Sequence, residues 1–260
     1  MKNYAIVISS CDKFSDLWEE HIKLFKEHWS GEFPKIYLVT DKQTVNEFDN
    51  VEIISFDGDM PVRLKQALSI IDEEYVLITL DDYFVIQDID TSRIDYLVNY
   101  SKEKNISYMS LYNRFLAKGF GYKKRNIISP INLAEPYAVT LYPAIWHKSF
   151  MVDCIEEDIT PWEFEPKLTF KAKILNAKCE FDNSGSFIIL DVVRKGKILH
   201  KANKYFKKHN IYIGNRPLNK RSYEFKLWLM DFIKCHTPKW FSKFLKKIAK
   251  KCGMNFYNND

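Results

Sequence analysis

Short apolar runs and helical spacings alternate along the first part of the chain. Apolar runs at residues 4–9, 35–39, 51–56 and 75–80 predict strands. Apolar residues that recur every three or four positions at 17–29 and 61–71 predict two amphipathic helices. This β-α-β-β-α-β order with short connections is typical of an α/β fold with a Rossmann-like, mostly parallel sheet.

The pattern of the second half is less regular. It predicts strands at 108–111, 137–141, 144–147 and 187–193, and helices at 89–103, 168–177 and 223–235, with a further helix following Gly196. Flanking helices on both sides of one sheet would complete an α/β domain over residues 1–215, and residues 216–260 read as a helical appendage.

Acids follow several of the predicted strands. Asp41 follows the second strand, Asp57 and Asp59 follow the third, and the pair Asp81-Asp82 follows the strand at 75–80. Open α/β sheets bind ligands at the carboxyl ends of their strands. Two adjacent carboxylates repel each other, and a divalent cation such as Mg²⁺ or Mn²⁺ that carries a phosphate would relieve the repulsion. The alternative is an Asp-rich turn that only closes the strand.

The chain has no glycine-rich phosphate loop. It contains 8 glycines and neither of the common nucleotide-binding glycine motifs. A nucleotide would therefore be held by a metal and by cationic side chains. Arg63 and Lys65, on the helix before the acid pair, are candidates to meet a diphosphate. Their alternative role is ordinary solvated helix surface.

A second acidic site lies at Trp162-Glu-Phe-Glu165. If this segment is extended, Glu163 and Glu165 share one face and the aromatic residues the other. A carboxylate beside aromatic rings has a raised pKa and suits general-base work, and Trp162 could stack on a sugar ring. The alternative is a helix start, in which Thr160 and Glu163 form a capping box.

Positive charge is concentrated near the C-terminus. The chain carries a net charge of +5, and Lys and Arg are dense between residues 195 and 251. A helix predicted from residue 238 has Trp240, Phe241 and Phe244 on one face, and lysines that include Lys243 and Lys247 on the other. This pattern predicts contact with an anionic membrane surface, the alternative being a packed amphipathic helix. No nucleic-acid module is recognisable, so no nucleic-acid partner is expected.

Cysteine usage and hydropathy predict the compartment. The five cysteines have no CxxC spacing, which favours a reducing compartment over a disulfide framework or a zinc site. Apolar runs are too short for a signal peptide or a spanning helix. We expect a cytoplasmic protein that lies peripherally on the inner face of the cell membrane.

Three blocks resemble the bacterial GT-A-fold glycosyltransferases of surface polysaccharide synthesis, of the capsule and O-antigen type. They are residues 7–10 (VISS), 80–84 (LDDYF) and 161–165 (PWEFE), and a later Gly196-Lys197 also fits. The resemblance covers residues 2–208. It implies a GT-A fold that transfers a sugar from a nucleotide-diphosphate sugar, most simply a UDP-sugar, to a hydroxyl of a glycan or lipid-linked acceptor, with inversion preferred over retention.

The resemblance also implies roles for individual residues. A divalent metal, Mn²⁺ or Mg²⁺, would be bound by Asp82. Because Tyr83 stands where another acid is expected, a further ligand would come from outside this block, either from His200 or from the donor diphosphate itself. Glu165 would be the catalytic base, with Glu163 as the alternative. The remaining roles are donor binding by Ser9, Asp12, Asp41, Arg63, Lys65 and Asp81, and acceptor stacking by Trp162 and Tyr83.

Two other functions remain open at this point. A nucleotidyltransferase would use the same sheet edge and release pyrophosphate. A degenerate domain of this fold could instead serve as a non-catalytic scaffold at the membrane, since the third acid is missing after Asp82.

Overall fold

A computed structural model describes residues 2–42, 48–113, 125, 127–157 and 159–236. Its strands are β1 (Ala5–Ser9), β2 (Lys35–Thr40), β3 (Val51–Ser55), β4 (Tyr75–Leu80), β5 (Tyr83–Val85), β6 (Tyr108–Ser110), β7 (Ile128–Pro130), β8 (Ala144–His147), β9 (Cys179–Asp182), β10 (Ile189–Asp191), β11 (Val193–Arg194) and β12 (Lys197–Ile198). Its α-helices are α1 (Ser15–Glu27), α2 (Met60–Ile70), α3 (Thr91–Lys104), α4 (Lys148–Cys154), α5 (Pro161–Ile174), α6 (His200–His209) and α7 (Arg221–His236).

An eight-stranded mixed sheet organises the described chain, in the order β3-β2-β1-β4-β8-β6-β9-β7. Strands β3, β2, β1 and β4 are mutually parallel. Strand β8 runs antiparallel between β4 and β6, and β9 is parallel to β6. The carboxyl ends of β1, β2 and β4 therefore meet at one edge, where the loops that follow them are brought together.

Alternation along the strands builds a core on each face of the sheet. In β1, Ala5 and Val7 join the core beneath α2, α4 and α5, while Ile6 and Ile8 join the core beneath α1 and α3. Successive side chains of a strand point to opposite faces, so a fully apolar strand can serve both cores. This explains why the central strands read as continuous apolar runs.

Two small two-stranded sheets extend the fold beyond the main sheet. Strand β5 pairs antiparallel with β10, and β11 pairs with β12. A third core forms between these two small sheets, α1 and α6, and it includes Phe84, Leu190 and Phe206. It holds the segment after the acid pair against the C-terminal part of the described chain.

The structure confirms the predicted α/β class, with a Rossmann-like mixed sheet flanked by helices. The strand predicted at 137–141 was wrong, because these residues form a loop. Helix α5 begins at Pro161 with the capping box, so of the two interpretations of Trp162 to Glu165 the structure supports the helix start and not the extended segment. Two positions apart on a helix, Glu163 and Glu165 do not share a face.

The membrane prediction rests on Trp240, Phe241, Lys243, Phe244 and Lys247, which lie outside the described residues. Helix α7 confirms the helix that the sequence predicts at 223–235. Of the helices that the structure describes, none is long and apolar enough to cross a membrane. The division of the chain at residue 216 stays a prediction.

Candidate functional site

The candidate site lies at the carboxyl ends of β1 and β4, which are neighbours in the sheet; this end of the sheet is called the crevice. Helix α1, which follows β1, covers one face of the sheet, and α2, which precedes β4, covers the other. Open α/β sheets bind ligands at the carboxyl ends of their strands. The polar side chains from the ends of these strands converge at this point.

Asp81 is buried in the crevice, with 7% of its surface exposed. The hydroxyl of Ser10 donates to Asp81 Oδ2, and Trp18 Nε1 donates to the same hydroxyl oxygen at 2.6 Å. Burial raises the pKa of Asp81 to about 7, although Ser10 and the charge of Arg216 act in the opposite direction. The carboxyl is thus poised to gain or lose a proton near neutral pH.

Asp82 lies beside a second acid that the sequence analysis missed, Asp191. Burial, followed by the charges of Asp81 and Asp191, raises the pKa of Asp82 well above its usual range. Asp191 is paired with Tyr83 across the two-stranded β5–β10 sheet. Within the described chain, Oδ1 of Asp82 and Oδ1 of Asp191 are buried and accept no hydrogen bond. The two carboxylates therefore present unused oxygen atoms in a poorly solvated place.

Asp191 had a signal in the sequence. Like Asp81, it follows a short apolar run, Phe187-Ile-Ile-Leu190, of the kind that ends in a candidate site at β4. What the sequence could not show is the pairing of β10 with β5, because that contact joins residues about a hundred positions apart.

An aromatic stack borders the acids. Tyr142 lies between Tyr83 and Tyr112, with ring centroids 5.1 Å and 3.8 Å apart and nearly parallel planes. Arg194 donates to the Tyr142 hydroxyl at 3.2 Å and to Asp191 Oδ2 at 2.8 Å. Tyr83 is thus buried in a stack rather than presented to a sugar, and Tyr142 and Arg194 are additional site residues.

Arg63 is a buried cation on the other side of the crevice, with 7% of its surface exposed. Its Nη2 donates to the carbonyl oxygen of Ser10 at 2.9 Å, and its Nη1 donates to that of Gly58. Its Nε has no hydrogen-bond partner, and among the described residues Arg63 forms no ion pair with a carboxylate. Lys65, by contrast, is exposed on the outer side of α2.

The ends of β1 and β2 are tied together by polar groups. The backbone N–H of Asp12 donates to Asp41 Oδ1, and the hydroxyl of Thr40 donates to Asp12 Oδ1 at 2.8 Å. Ser9 is buried in β1, and its carbonyl oxygen accepts from the N–H of Asp81 at 3.3 Å. Asp12 and Asp41 thus line the same sheet edge as Asp81, whereas Ser9 contributes through its backbone.

A C-terminal segment, residues 210–219, packs against this edge. Arg216 Nε donates to Asp16 Oδ2 at 2.7 Å, and its guanidinium lies 4.5 Å from the ring centre of Phe14. Gly214 has a φ of +38°, and a Cβ there would lie 2.5 Å from Asp16 Oδ2, so only glycine fits this approach. The segment brings Arg216 close enough to Asp81 for the two charges to affect each other's pKa.

The acids of α5 occupy different surroundings. Glu163 is exposed and forms the capping box, since its Oε2 accepts from the N–H and the hydroxyl of Thr160 at 3.3 Å and 2.7 Å. These hydrogen bonds lower the pKa of Glu163. Glu165 is half-buried, and its Oε1 accepts from the N–H of Leu141 at 3.2 Å. Leu141 directly precedes Tyr142, so this hydrogen bond joins α5 to the loop that carries one ring of the aromatic stack.

Trp162 is 88% exposed at the start of α5. It is free of the core, as a residue that stacks on an incoming sugar would be, but it shares no described contact with the acid pair. Its role in acceptor binding stays a prediction.

His200 does not pair with Asp82 in the structure. Its Nε2 contacts the carbonyl oxygen of Asn219 at 3.0 Å, and its backbone N–H donates to Glu224 at 2.7 Å. The described part of the chain contains no group of three or more His, Cys, Asp or Glu side chains arranged to hold a metal ion. The acids whose charges act most strongly on Asp82 are instead Asp81 and Asp191.

No protein-family model matches the chain, and no curated protein matches it. Solved structures resemble its fold. Residues 1–349 of S. aureus TarS are 16% identical, with a TM-score of 0.47 over 72% of this chain and 59% of that one. The same TarS fragment in complex with UDP-GlcNAc is 16% identical, with a TM-score of 0.45 over 76% of this chain and 60% of that one. A cytidylyltransferase from Leptospira borgpetersenii is 11% identical, with a TM-score of 0.43 over 85% of this chain and 100% of that one.

The chain therefore spans about 59% of the length of the TarS fragment. At TM-scores of 0.43 to 0.47, these similarities carry no argument about substrate or reaction. The chemistry has to be argued from the crevice itself.

Proposed function

We propose that this chain is a glycosyltransferase that takes a sugar from a nucleotide-diphosphate sugar, most simply a UDP-sugar. One observation carries the proposal: the crevice contains buried groups of opposite charge that do not satisfy each other. Arg63 lacks a carboxylate partner, and Asp82 and Asp191 keep unused buried oxygens within the described chain. A ligand that brings both a cation and anionic or polar acceptor groups would satisfy both sides, as a metal-bound nucleotide diphosphate does.

The donor set fits a hard divalent cation. Mg²⁺ and Mn²⁺ prefer carboxylate oxygens. The positive charge of a bound cation would lower the pKa of Asp82 and so offset the effects of burial and of the neighbouring acids, which raise it. Asp82 and Asp191 would hold the metal, with Asp191 in the place first expected for His200. When bound, the metal supplies positive charge that offsets the charge of the leaving diphosphate.

The nucleotide would lie along the crevice edge. Arg63 offers its free Nε beside Ser10, while Asp12 and Asp41 offer acceptors at the end of β2. Asp81 is held by the hydroxyl of Ser10 and would help to set the position of Asp82. Lys65 has no part in this arrangement because it faces solvent.

Glu165 is the carboxylate that we place as general base. It is half-buried, and it is oriented by the N–H of Leu141, the residue that directly precedes Tyr142 of the aromatic stack. In an inverting reaction it would take the proton of an acceptor hydroxyl as that oxygen attacks the anomeric carbon. Glu163 is a poor alternative, because its carboxylate is engaged in the capping box and its pKa is lowered.

The acceptor would be a glycan or a lipid-linked glycan of surface polysaccharide synthesis, used on the cytoplasmic face of the membrane. The basic composition of residues 237–251 supports a location at an anionic surface. Loss of binding to anionic vesicles after truncation at residue 236 would support this location, and unchanged binding would argue against a role for the tail.

The proposal is tested by a thermal-shift screen of UDP-, GDP- and CDP-sugars with and without Mn²⁺, followed by product analysis of every ligand that binds. We expect a shift that requires both the nucleotide sugar and the metal, and release of nucleoside diphosphate. Release of pyrophosphate from a nucleoside triphosphate and a sugar phosphate would show a nucleotidyltransferase instead. Absence of any shift would favour a non-catalytic scaffold.

A further inference from the structure

A groove of about 420 Å³ lies between α6 and α7, and its lining shares no residue with the acids and Arg63 of the crevice. It is lined by His200, Asn203, Lys204, Lys207, Arg221 and Glu224. Its volume is in the range that binds a small ligand or the headgroup of a larger one.

The lining of the groove is cationic. Lys204, Lys207 and Arg221 form no ion pair within the described chain. Glu224 is the acid of the lining, and its Oε1 already accepts from the backbone N–H of His200 at 2.7 Å. Three unpaired cations around one concave surface repel a metal ion and attract an anion. A phosphate group, which can accept from several lysine and arginine donors at once, suits this set.

Apolar side chains continue the groove along α7. Arg221, Phe225 and Leu229 are spaced by four residues and so lie along one face of that helix. Phe225 is 62% exposed and Leu229 is 40% exposed. Phe225 stacks on the exposed Trp228 of the same helix, so the apolar exposure is contiguous rather than that of a single residue. Contiguous exposed apolar surface marks an interaction site. Cations beside exposed aromatic and aliphatic side chains are typical of a helix that lies at an anionic bilayer surface.

We propose that the groove between α6 and α7 binds the phosphate headgroup of an anionic membrane lipid, with Phe225 and Leu229 inserted beside it into the bilayer interface. Lys204, Lys207 and Arg221 contact the phosphate. All the residues that line this groove belong to the described part of the chain, and none of them is among the basic residues at 237–251 on which the tail prediction rests. The inference does not rest on the proposed transfer reaction.

The test compares two double variants of the full-length chain that lose the same charge. Lys204→Gln with Lys207→Gln removes two groove cations, and Lys197→Gln with Lys208→Gln removes two exposed lysines outside the lining. Binding is measured by co-sedimentation with phosphatidylcholine vesicles, with and without phosphatidylglycerol. A lysine near an anionic bilayer contributes about fivefold in affinity, so the groove variant should bind roughly 25-fold more weakly.

The control variant should lose less than the groove variant on anionic vesicles, and neutral vesicles should bind none of the proteins well. Equal losses for both variants would overturn the inference, because they would show attraction by net charge alone. Phe225→Ser should weaken binding to vesicles. If Phe225→Ser has no effect and soluble glycerol phosphate displaces the chain from vesicles, the groove binds free phosphate rather than a bilayer lipid, which would also overturn it.

A nucleotide-sugar thermal shift on the groove variant separates this inference from the proposed function. A retained shift with lost vesicle binding supports the groove as an independent site. If vesicle binding depends on the groove but the chain binds no nucleotide sugar, the result would contradict the proposed function and support this inference.

Discussion

The two acidic sites of this protein look alike in sequence and differ in the folded chain. At Asp81-Asp82 the carboxylates lie at the end of a central strand, and burial raises the pKa of both. At Glu163 and Glu165 the acids begin a surface helix, where Glu163 is satisfied by Thr160 and its pKa is lowered. Two acids close in sequence are thus no guide to chemistry until their burial is known.

The difference follows from where each backbone goes. A strand that ends inside the sheet delivers its next side chains into a crevice with little water, so an ionised carboxylate there needs a partner. The first turn of a helix instead offers free N–H groups that a carboxylate can accept from. The first arrangement calls for a ligand, and the second is complete by itself.

The largest expected effect is the loss of turnover when one carboxylate of the acid pair is removed. Asp82→Asn should lower turnover of the nucleotide sugar by roughly 10³-fold, because a metal contributes several kcal/mol of charge stabilisation in the transition state. Release of nucleoside diphosphate measures the loss. Asp191→Asn should have a smaller effect of the same kind and should raise the Mn²⁺ concentration needed for half activity. Full turnover by Asp82→Asn would contradict the assignment.

The next effect tests the two acids of α5 against each other. Glu165→Gln should lower turnover by about 10²-fold or more, as expected for loss of a general base, with little change in donor binding. Glu163→Gln is the matched control, and it should retain turnover because the amide can still accept from the Thr160 N–H. Equal losses in the two variants would remove the distinction between a catalytic and a capping carboxylate.

The stability of the ligand-free chain and its affinity for Mn²⁺ should change with pH in opposite directions. The pKa of Asp81 rises from 3.8 to about 7 on folding, so the folded state holds the proton more tightly than the unfolded state. The ligand-free chain should therefore lose stability as pH rises from about 4 to about 7. Metal binding needs the ionised acids, so Mn²⁺ affinity should rise with pH by up to tenfold per unit over the same window.

Thermal unfolding and Mn²⁺ titration across this range check both signs. Asp81→Asn should flatten the pH dependence of stability while leaving the fold intact. A ligand-free chain whose melting temperature rises steadily from pH 4 to pH 7 would show that burial does not hold the proton on Asp81.

The smallest expected effect concerns the capping box. Thr160→Ala should destabilise the chain by about 1 kcal/mol, or roughly 2–4 °C in Tm, because the start of α5 loses its cap. Turnover at temperatures well below Tm should stay unchanged. A loss of turnover without a loss of stability would instead place the start of α5 in the reaction.

Much of the architecture was predictable from the sequence. The apolar runs of β1, β2 and β4 and the spacing of α1 and α2 are local patterns, and each was placed within one or two residues. Residues 137–141 were misassigned because their apolar side chains, such as Val139 and Leu141, pack into the core from a loop. Burial alone produces an apolar pattern, whether or not the backbone is extended.

Part of the candidate site was also predictable from the sequence. The sequence alone placed Asp81 and Asp82 at the end of a buried strand, put Arg63 on the preceding helix, and offered a capping box at Thr160 as one of two interpretations. These follow from hydrophobic periodicity and from the backbone needs of strand and helix ends, which neighbouring residues determine.

Only the tertiary structure decided which acids share a site. The β5–β10 pairing places Asp191 beside Asp82. Among the described residues, Arg63 has no carboxylate partner, and His200 lines a cationic groove rather than the acid site. Burial and the charges of distant residues determine these properties. Both arise from contacts between segments far apart in the chain, so no local pattern in the sequence records them.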